Sequence, residues 1–466
     1  MAARFSDDEV VQATGATRRG EPVPTGFSAV STDTRTLTPG CLFVALQGER
    51  FDAHDFLDAA ARGGAAGAVV KRGQRLPVLP EGFALFEVGD TLAALGGLGR
   101  HHRMRFGIPV AAVGGSNGKT TTKEMVGAIL AVRGPALKTE GNFNNEVGVP
   151  LTLFRLEPRH VAAVIEVGMN RPGEIERLTR VVRPDAGAIT VVQPEHLEGL
   201  GSLQGVADAE GELFRELSPR ATAVVNLDDA LVAAQAAGSP AKRLTFGRAE
   251  GADVRLVAVE TLGRDGMVAT VRHAGVDWRV RLHFVGPHNA QNATAAFAVA
   301  LALGYTPEEC ARGLEQARPY SRRLNVLDGQ GGVVVVDDCY NANPASMEAA
   351  LATLATLVPA GGRQVVVLGD MLELGPGELE EHAKLGAQAG RQVSLAAFFG
   401  PRSSRGFESA GLGEAAAHFT EVEPLVAWLK PRLRSGDVVL VKASRGMRLE
   451  RVVAALTGTA APGGSH

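Results

Sequence analysis

The sequence predicts an α/β chain of three regions, two of them built on mainly parallel sheets, and three observations carry that expectation. From Ile108 onward the apolar runs PVAAV, HVAAVIEVGM, AGAITVV and TAVVN alternate with segments of helical spacing, the mark of a doubly wound sheet. After the proline-containing ARPYSRRLN come three more buried-strand candidates, GGVVVVDD, RQVVVLGD and DVVLVKAS, each leading into polar residues, as in a second, Rossmann-like unit. Residues 1 to 107 lack that rhythm: short strand-like pieces such as CLFVAL mix with polar, charged sequence and end in the basic link GRHHRMRFG. The regions are therefore expected at 1–107, 108–316 and 317–466, and a chain of 466 residues with 45% hydrophobic content is long enough to give each its own core.

Within the central region, VAAVGGSNGKTTTKEM at 110–125 is a strand running into a glycine turn and then a helix. A standard phosphate-binding loop would place its first glycine where this chain has Val113, so the strict signature fails. Its mechanics survive: Gly114, Gly115 and Gly118 allow a tight turn, and Ser116, Asn117, Lys119, Thr120 and Thr121 surround free N–H groups at a helix start, where a phosphate would sit. Alternating runs at VRLVAVE, MVATVRH and DWRVRLHFV predict an antiparallel extension of the sheet, and HNAQNATAAFAVALALG predicts a helix.

Open α/β sheets bind ligands outside the carboxyl ends of their strands. There stand Lys119 and Thr120 after PVAAV, Glu166 after HVAAVI, and His196 in PEHLEG after AGAITVV. Together they could hold a magnesium triphosphate, with Lys119 offsetting phosphate charge, Thr120 and Glu166 on a hard cation and His196 reaching a second one. Singly, Glu166 reads equally as a salt bridge and His196 as a cap or packing residue. Asn289 and Asn292 could read an adenine edge or cap a helix. DDCYNANPASM packs two carboxylates, a tyrosine and two asparagines into one strand-to-helix turn, more than capping needs.

The formal charge of -3 and pI near 6.4 give no broad attraction to nucleic acid or an anionic membrane. Cys41, Cys310 and Cys339 are too far apart to suggest a disulfide framework or zinc site, which fits a reduced cytoplasm. MAARFSDDEV has no apolar signal core, no run approaches a membrane span, and GTAAPGGSH at the end is expected to fray.

Seven motifs in order, TDTRTLTPGCLFVALQGERFDAHDF, GGSNGKTTTKEM, EGNFNNEVGVPLTL, EVGMNRPGEIERL, HLEGLGSLQGVA, DDCYNANPASM and VLGDMLELG, resemble those of the Mur ligases, ATP-dependent amide-forming enzymes of peptidoglycan synthesis. YNANP and GDMLELG resemble the branch that joins D-alanyl-D-alanine to UDP-N-acetylmuramoyl-tripeptide, rather than the branch adding the third peptide residue or the folylpolyglutamate synthetases. The resemblance implies an N-terminal UDP-binding domain, a central ATPase domain and a C-terminal Rossmann-like domain, in a monomeric cytoplasmic enzyme using ATP and magnesium. It implies that Lys119, Thr120, Glu166 and His196 serve phosphate and metal, Asn289 and Asn292 adenine, Arg323 nucleotide, and Asp338 ribose. Asp33, Thr34 and Arg35 would lie against the uridine diphosphate, and Asn144, Asn145, Tyr340, Asn341 and Asn343 would line the substrate site. Four places depart from the family pattern. Asp33-Thr34-Arg35 replaces Asp-Ser-Arg, Asp52-Ala53-His54 replaces Asp-Gly-His, and Arg322-Arg323 replaces Gly-Arg. Ala209-Glu210-Gly211-Glu212 stands where many members read Ala-Lys-Gly-Glu, with a lysine that becomes carbamylated; Glu210 is expected to supply that carboxylate to the metal directly. Two rivals are a ligase that extends a folate and a non-catalytic nucleotide-binding regulator; the combination of Lys119, Glu166, His196 and Arg323 speaks against the second.

Overall fold

The computed structural model describes residues 3–48 and 51–459. Glu49 and Arg50, inside the first motif, lie outside the described residues, as do residues 460–466 of the tail expected to fray. Among the described residues the strands form three sheets, of five, nine and six strands.

In the first sheet Ala84–Val88, Gly67–Lys71, Leu42–Val44 and Val30–Ser31 run parallel, and Thr17–Arg19 closes one edge antiparallel. CLFVAL supplies the buried strand Leu42–Val44. The helix Thr91–Met104 starts at Asp90, whose carboxylate accepts from the N–H groups of Leu92 and Ala93 at 2.8 and 3.1 Å. It buries Leu95 and Leu98 in this core, while Gly99 lies so close to Pro150 that a Cβ would stand 2.9 Å from it. The helix thus packs on the first sheet and on the central region alike.

The central sheet has at its middle the four runs expected as strands: Val110–Gly114, Ala162–Glu166, Ala186–Ile189 and Thr222–Asn226, all parallel. Alternate residues enter opposite cores: Ala111 and Val113 pack with Met125, Ile129 and Phe297, whereas Val110 and Ala112 pack with Leu178, Leu213 and Phe214. Burial on both faces is why these runs are continuously apolar. Val254–Thr261, Met267–His273 and Val276–Leu282 form the antiparallel extension.

In the third sheet Val334–Asp338, Val438–Lys442 and Gln364–Gly369 are the three expected runs. Leu395–Phe399 and Ala416–Phe419 continue it in parallel, and Asn325–Asp328 edges it antiparallel. LAAFF is an apolar run too short for periodicity to separate strand from buried helix. The carboxyl ends of the second and third sheets face each other, because residues following one set of strands bond residues following the other.

Candidate active site

The loop after Val110–Gly114 is fixed by backbone geometry. Gly115 has φ +113°, and a Cβ there would stand 2.2 Å from Thr190 Oγ1; Gly118 has φ +84°, and its Cβ would meet Asn292 Oδ1 at 2.4 Å. Neither position accepts a side chain. Ser116 N–H donates to Val191 O at 2.7 Å, and the Ser116 hydroxyl bonds both the carbonyl and the N–H of Gln193. The helix Lys119–Leu130 then begins with no side-chain cap, so its first N–H groups remain open to an anion.

Carboxylates surround the lysine of that turn. Lys119 Nζ lies 3.5 Å from Glu195 Oε1 and donates to Ser116 O at 3.4 Å. Burial opposes its charge, but Glu195, Glu210 and Glu166 outweigh that and hold the ammonium above its ordinary range. Burial drives Glu195 upward despite Lys119. Glu166 Oε1 accepts from Asn144 Nδ2 at 3.0 Å, while its buried Oε2 has no partner.

The opposite wall comes from the third sheet. Arg323 donates to the Thr120 hydroxyl at 3.1 Å and lies over the Tyr340 ring at 4.4 Å. Asn343 and Asn117 exchange amide hydrogen bonds at 3.3 and 3.1 Å, and His196 Nδ1 meets Glu373 Oε2 at 3.0 Å. Lys442 pairs with Asp338 at 2.7 Å and donates to Asn341 O. Two cavities meet at this seam, sharing Asn117, Gly118, Arg323, Ser346 and Lys442. One, of about 560 Å³, contains Thr121, Asn289, Asn292 and Asp338; the other, of about 370 Å³, contains Lys119, Glu166, His196 and Tyr340.

Most of the residues singled out in the sequence therefore gather at one seam, with three differences. Glu210 is fully buried beneath the loop and lines neither cavity: Oε2 accepts from Gly115 N–H at 2.7 Å, and Oε1 has no partner. Of the expected metal residues, Thr120, Glu166 and His196 line the smaller cavity and Glu210 does not, and among the described residues no group of three or more His, Cys, Asp or Glu is arranged to hold a metal. Asp33, Thr34 and Arg35 lie outside both cavities; Asp33 caps the turn Thr34–Thr36 and binds the exposed Arg35 guanidinium with both oxygens. Asn145 caps Val147 and Gly148, and Asn292 donates to Asn289 Oδ1 at 2.9 Å, so the HNAQN asparagines act as a pair inside the helix rather than as caps. His54, of the altered Asp-Ala-His, is buried on Asp52 and Lys71 N–H.

Sequence reasoning missed Glu195, Glu373, Lys442 and His288. Each stood in a motif already noted, but only the fold supplies its partner. His288 lines the larger cavity, and burial brings its imidazole down to about 4, so the ring is neutral at neutral pH.

Comparison with known proteins accounts for this arrangement. Residues 113–300 match the Mur ligase middle domain, and residues 322–445 match the Mur ligase, glutamate ligase domain. The UDP-N-acetylmuramoyl-tripeptide--D-alanyl-D-alanine ligase of Escherichia coli (strain K12) is 39% identical, covering 92% of this chain and 94% of its own; that of Bacillus subtilis (strain 168) is 36% identical, covering 92% and 93%. A crystal structure of MurF from Acinetobacter baumannii aligns with a TM-score of 0.89 at 33% identity, over 98% of this chain and 100% of that one. MurF from Thermotoga maritima, solved in complex with ADP, aligns at 0.82 with 29% identity, over 92% and 97%. With a seam between two facing sheets, a phosphate loop at its centre and these relatives along nearly its whole length, the chain belongs to the Mur ligase family, in its MurF branch.

Proposed function

We infer that this chain joins D-alanyl-D-alanine to UDP-N-acetylmuramoyl-tripeptide at the expense of ATP, in the cytoplasm, as a monomer of three domains spanning 1–107, 108–316 and 317–466. The observation that carries the reading is that the first turn of the helix Lys119–Leu130 presents Lys119 beside Thr120, whose hydroxyl Arg323 of the C-terminal region bonds. ATP would lie across both cavities, with its polyphosphate on the N–H groups of residues 115–121 and on Lys119. Its adenine would lie near Asn289 and Asn292, and its ribose near Asp338. Asp33, Thr34 and Arg35 would take the uridine diphosphate once Arg35 turns from Asp33. Asn144, Asn145, Tyr340, Asn341 and Asn343 would border the peptide.

The orphaned Oε2 of Glu166 and the Thr120 hydroxyl are hard oxygen donors that suit magnesium, which takes one or two protein ligands beside phosphates and water. Glu166 and Thr120 would hold it, and bound there it would offset charge on the polyphosphate. His196 would have to leave Glu373 to hold a second ion.

The tripeptide carboxylate attacks the γ-phosphorus of ATP, and ADP leaves an acyl phosphate. The dipeptide amine attacks that acyl carbon, inorganic phosphate departs, and the amine gives up a proton as the amide forms. Lys119 and Arg323 offset charge on the transferring phosphoryl group. The C-terminal wall keeps water from the acyl phosphate, and no protein nucleophile is required. Phosphate release from ATP that requires both UDP-muramoyl-tripeptide and D-alanyl-D-alanine, with the pentapeptide product identified by mass, is the expected result. Glutamate addition to a folate with no turnover of the UDP-tripeptide would replace this reading.

A further inference from the structure

The smaller cavity holds five basic side chains, Lys119, His196, Arg323, Lys442 and Arg445. Four are committed. Lys119 faces Glu195 in the phosphate loop, His196 meets Glu373, Arg323 bonds Thr120, and Lys442 is held by Asp338 and Asn341 O. Arg445 is different. It follows the strand Val438–Lys442 in the turn Arg445–Met447 and is exposed at the cavity. Among the described residues its guanidinium has no ion pair or side-chain hydrogen bond; its contact is the face of the Tyr340 ring, 5.1 Å from the centroid. Arg323 lies over the same ring, so Arg445 and the arginine that touches the phosphate-loop helix share one aromatic side chain.

A planar guanidinium held on an aromatic face keeps its donor edges free and loses little freedom on binding a carboxylate in two-point fashion. The reaction brings in a dipeptide whose amine must reach the acyl phosphate and whose far end carries a negative charge. Left unpaired beside Glu166, Glu195 and Glu373, that charge would oppose binding. We propose that Arg445 is the specificity residue for the incoming dipeptide, holding its terminal carboxylate while Tyr340 fixes the guanidinium plane. The proposal rests on the ligation reaction inferred above.

The test compares wild type, Arg445→Ala and Arg445→Lys in steady-state ligation, with D-alanyl-D-alanine and with its C-terminal amide as acceptors. Loss of a charge-assisted, two-point contact should raise the KM for the dipeptide roughly 10- to 100-fold in Arg445→Ala, with partial recovery in Arg445→Lys. The KM values for ATP and UDP-muramoyl-tripeptide should stay within about twofold. Wild type should discriminate against the amide acceptor, and Arg445→Ala should lose most of that discrimination. An unchanged dipeptide KM overturns the assignment, as does undiminished discrimination in Arg445→Ala. A rise confined to the UDP-tripeptide KM also overturns it, by transferring Arg445 to a carboxylate of that substrate. Wild-type enzyme that makes no pentapeptide removes the ligation reading itself, and the subsite with it.

Discussion

At Glu210 a carboxylate stands where many Mur ligases carry a lysine, and its surroundings direct it to the loop rather than to the cavity. Burial pushes its carboxyl up to about 7, against the pull of Lys119, while one oxygen receives the Gly115 N–H. The enzyme should therefore work unchanged when bicarbonate is stripped from the buffer; marked rescue by added bicarbonate would contradict this. Glu210→Gln keeps an acceptor oxygen for Gly115 and should retain most activity, whereas Glu210→Ala orphans a buried donor and should lower turnover roughly tenfold or more. The raised value also has a stability consequence. Below about 4.5 the carboxyl is protonated in folded and unfolded chains alike; from there to about 7 the unfolded chain loses the proton and the folded chain keeps it. Stability falls as pH rises through that window, by up to about 3 kcal/mol. Wild type should consequently lose more melting temperature than Glu210→Gln between about pH 5 and about pH 8, and equal losses would refute the buried acid. Lys119→Ala should abolish ligation while leaving the melting curve in place, if the ammonium acts on phosphate as proposed; such losses commonly cost roughly 2 to 4 kcal/mol of barrier. Lys119, Thr120 and Glu166 were legible because each lies in a short motif at or just beyond the end of an apolar strand. Glu195, Lys442 and Arg445 were not, since their meaning lies in partners that are far away in sequence or, for Arg445, in the lack of an ionic partner.

At the scale of elements, the phosphate loop and the helix Pro344–Leu357 carry the site through their first residues. Gly115 combines a left-handed φ with contact against Thr190, so Gly115→Ala should cost roughly 1 to 3 kcal/mol of strain and weaken ATP binding; calorimetry showing wild-type affinity would mean that the loop adjusts. Asn343 caps its helix through Ser346 N–H at 2.9 Å and also reaches Asn117. Asn343→Ser keeps a cap but is too short for Asn117. It should leave thermal stability nearly unchanged and lower kcat, whereas Asn343→Ala should lower both. The central strands were legible because burial on both faces leaves continuous apolar runs. Edge strands were less so: Thr17–Arg19 is exposed throughout, and its side chains record solvent rather than pairing. The 107/108 boundary rests on the change of sequence pattern at Ile108, and the helix Thr91–Met104 packs on both sides of it, with Gly96 against Val181 and Gly99 against Pro150.

At the scale of the molecule, the C-terminal wall meets the central region through polar contacts around the cavities, through the Arg264–Asp328 pair, and through Val285, which packs into the C-terminal core. One of the polar contacts joins two residues of special backbone: His196 has φ +49° and Glu373 has φ +66°, left-handed conformations that non-glycine residues adopt at a cost, and the two meet at 3.0 Å. Glu373 is two-thirds exposed, so this pair contributes on the order of 1 kcal/mol or less. The reciprocal Asn117–Asn343 bonds are more sheltered and join the phosphate loop itself to the closing wall, which makes them the stronger link between nucleotide and closure. Contacts this weak would suit the domain closure proposed above: each could break on opening, and ATP lying across both walls as proposed would supply what they lack. Asn117→Ala combined with Glu373→Ala should therefore open the nucleotide-free enzyme, seen as a larger radius of gyration in solution scattering, and ATP should close it again. Glu373→Ala alone should shift the same equilibrium less than about fivefold. A nucleotide-free double variant as compact as wild type would show that closure rests on the packing of the two walls rather than on these contacts.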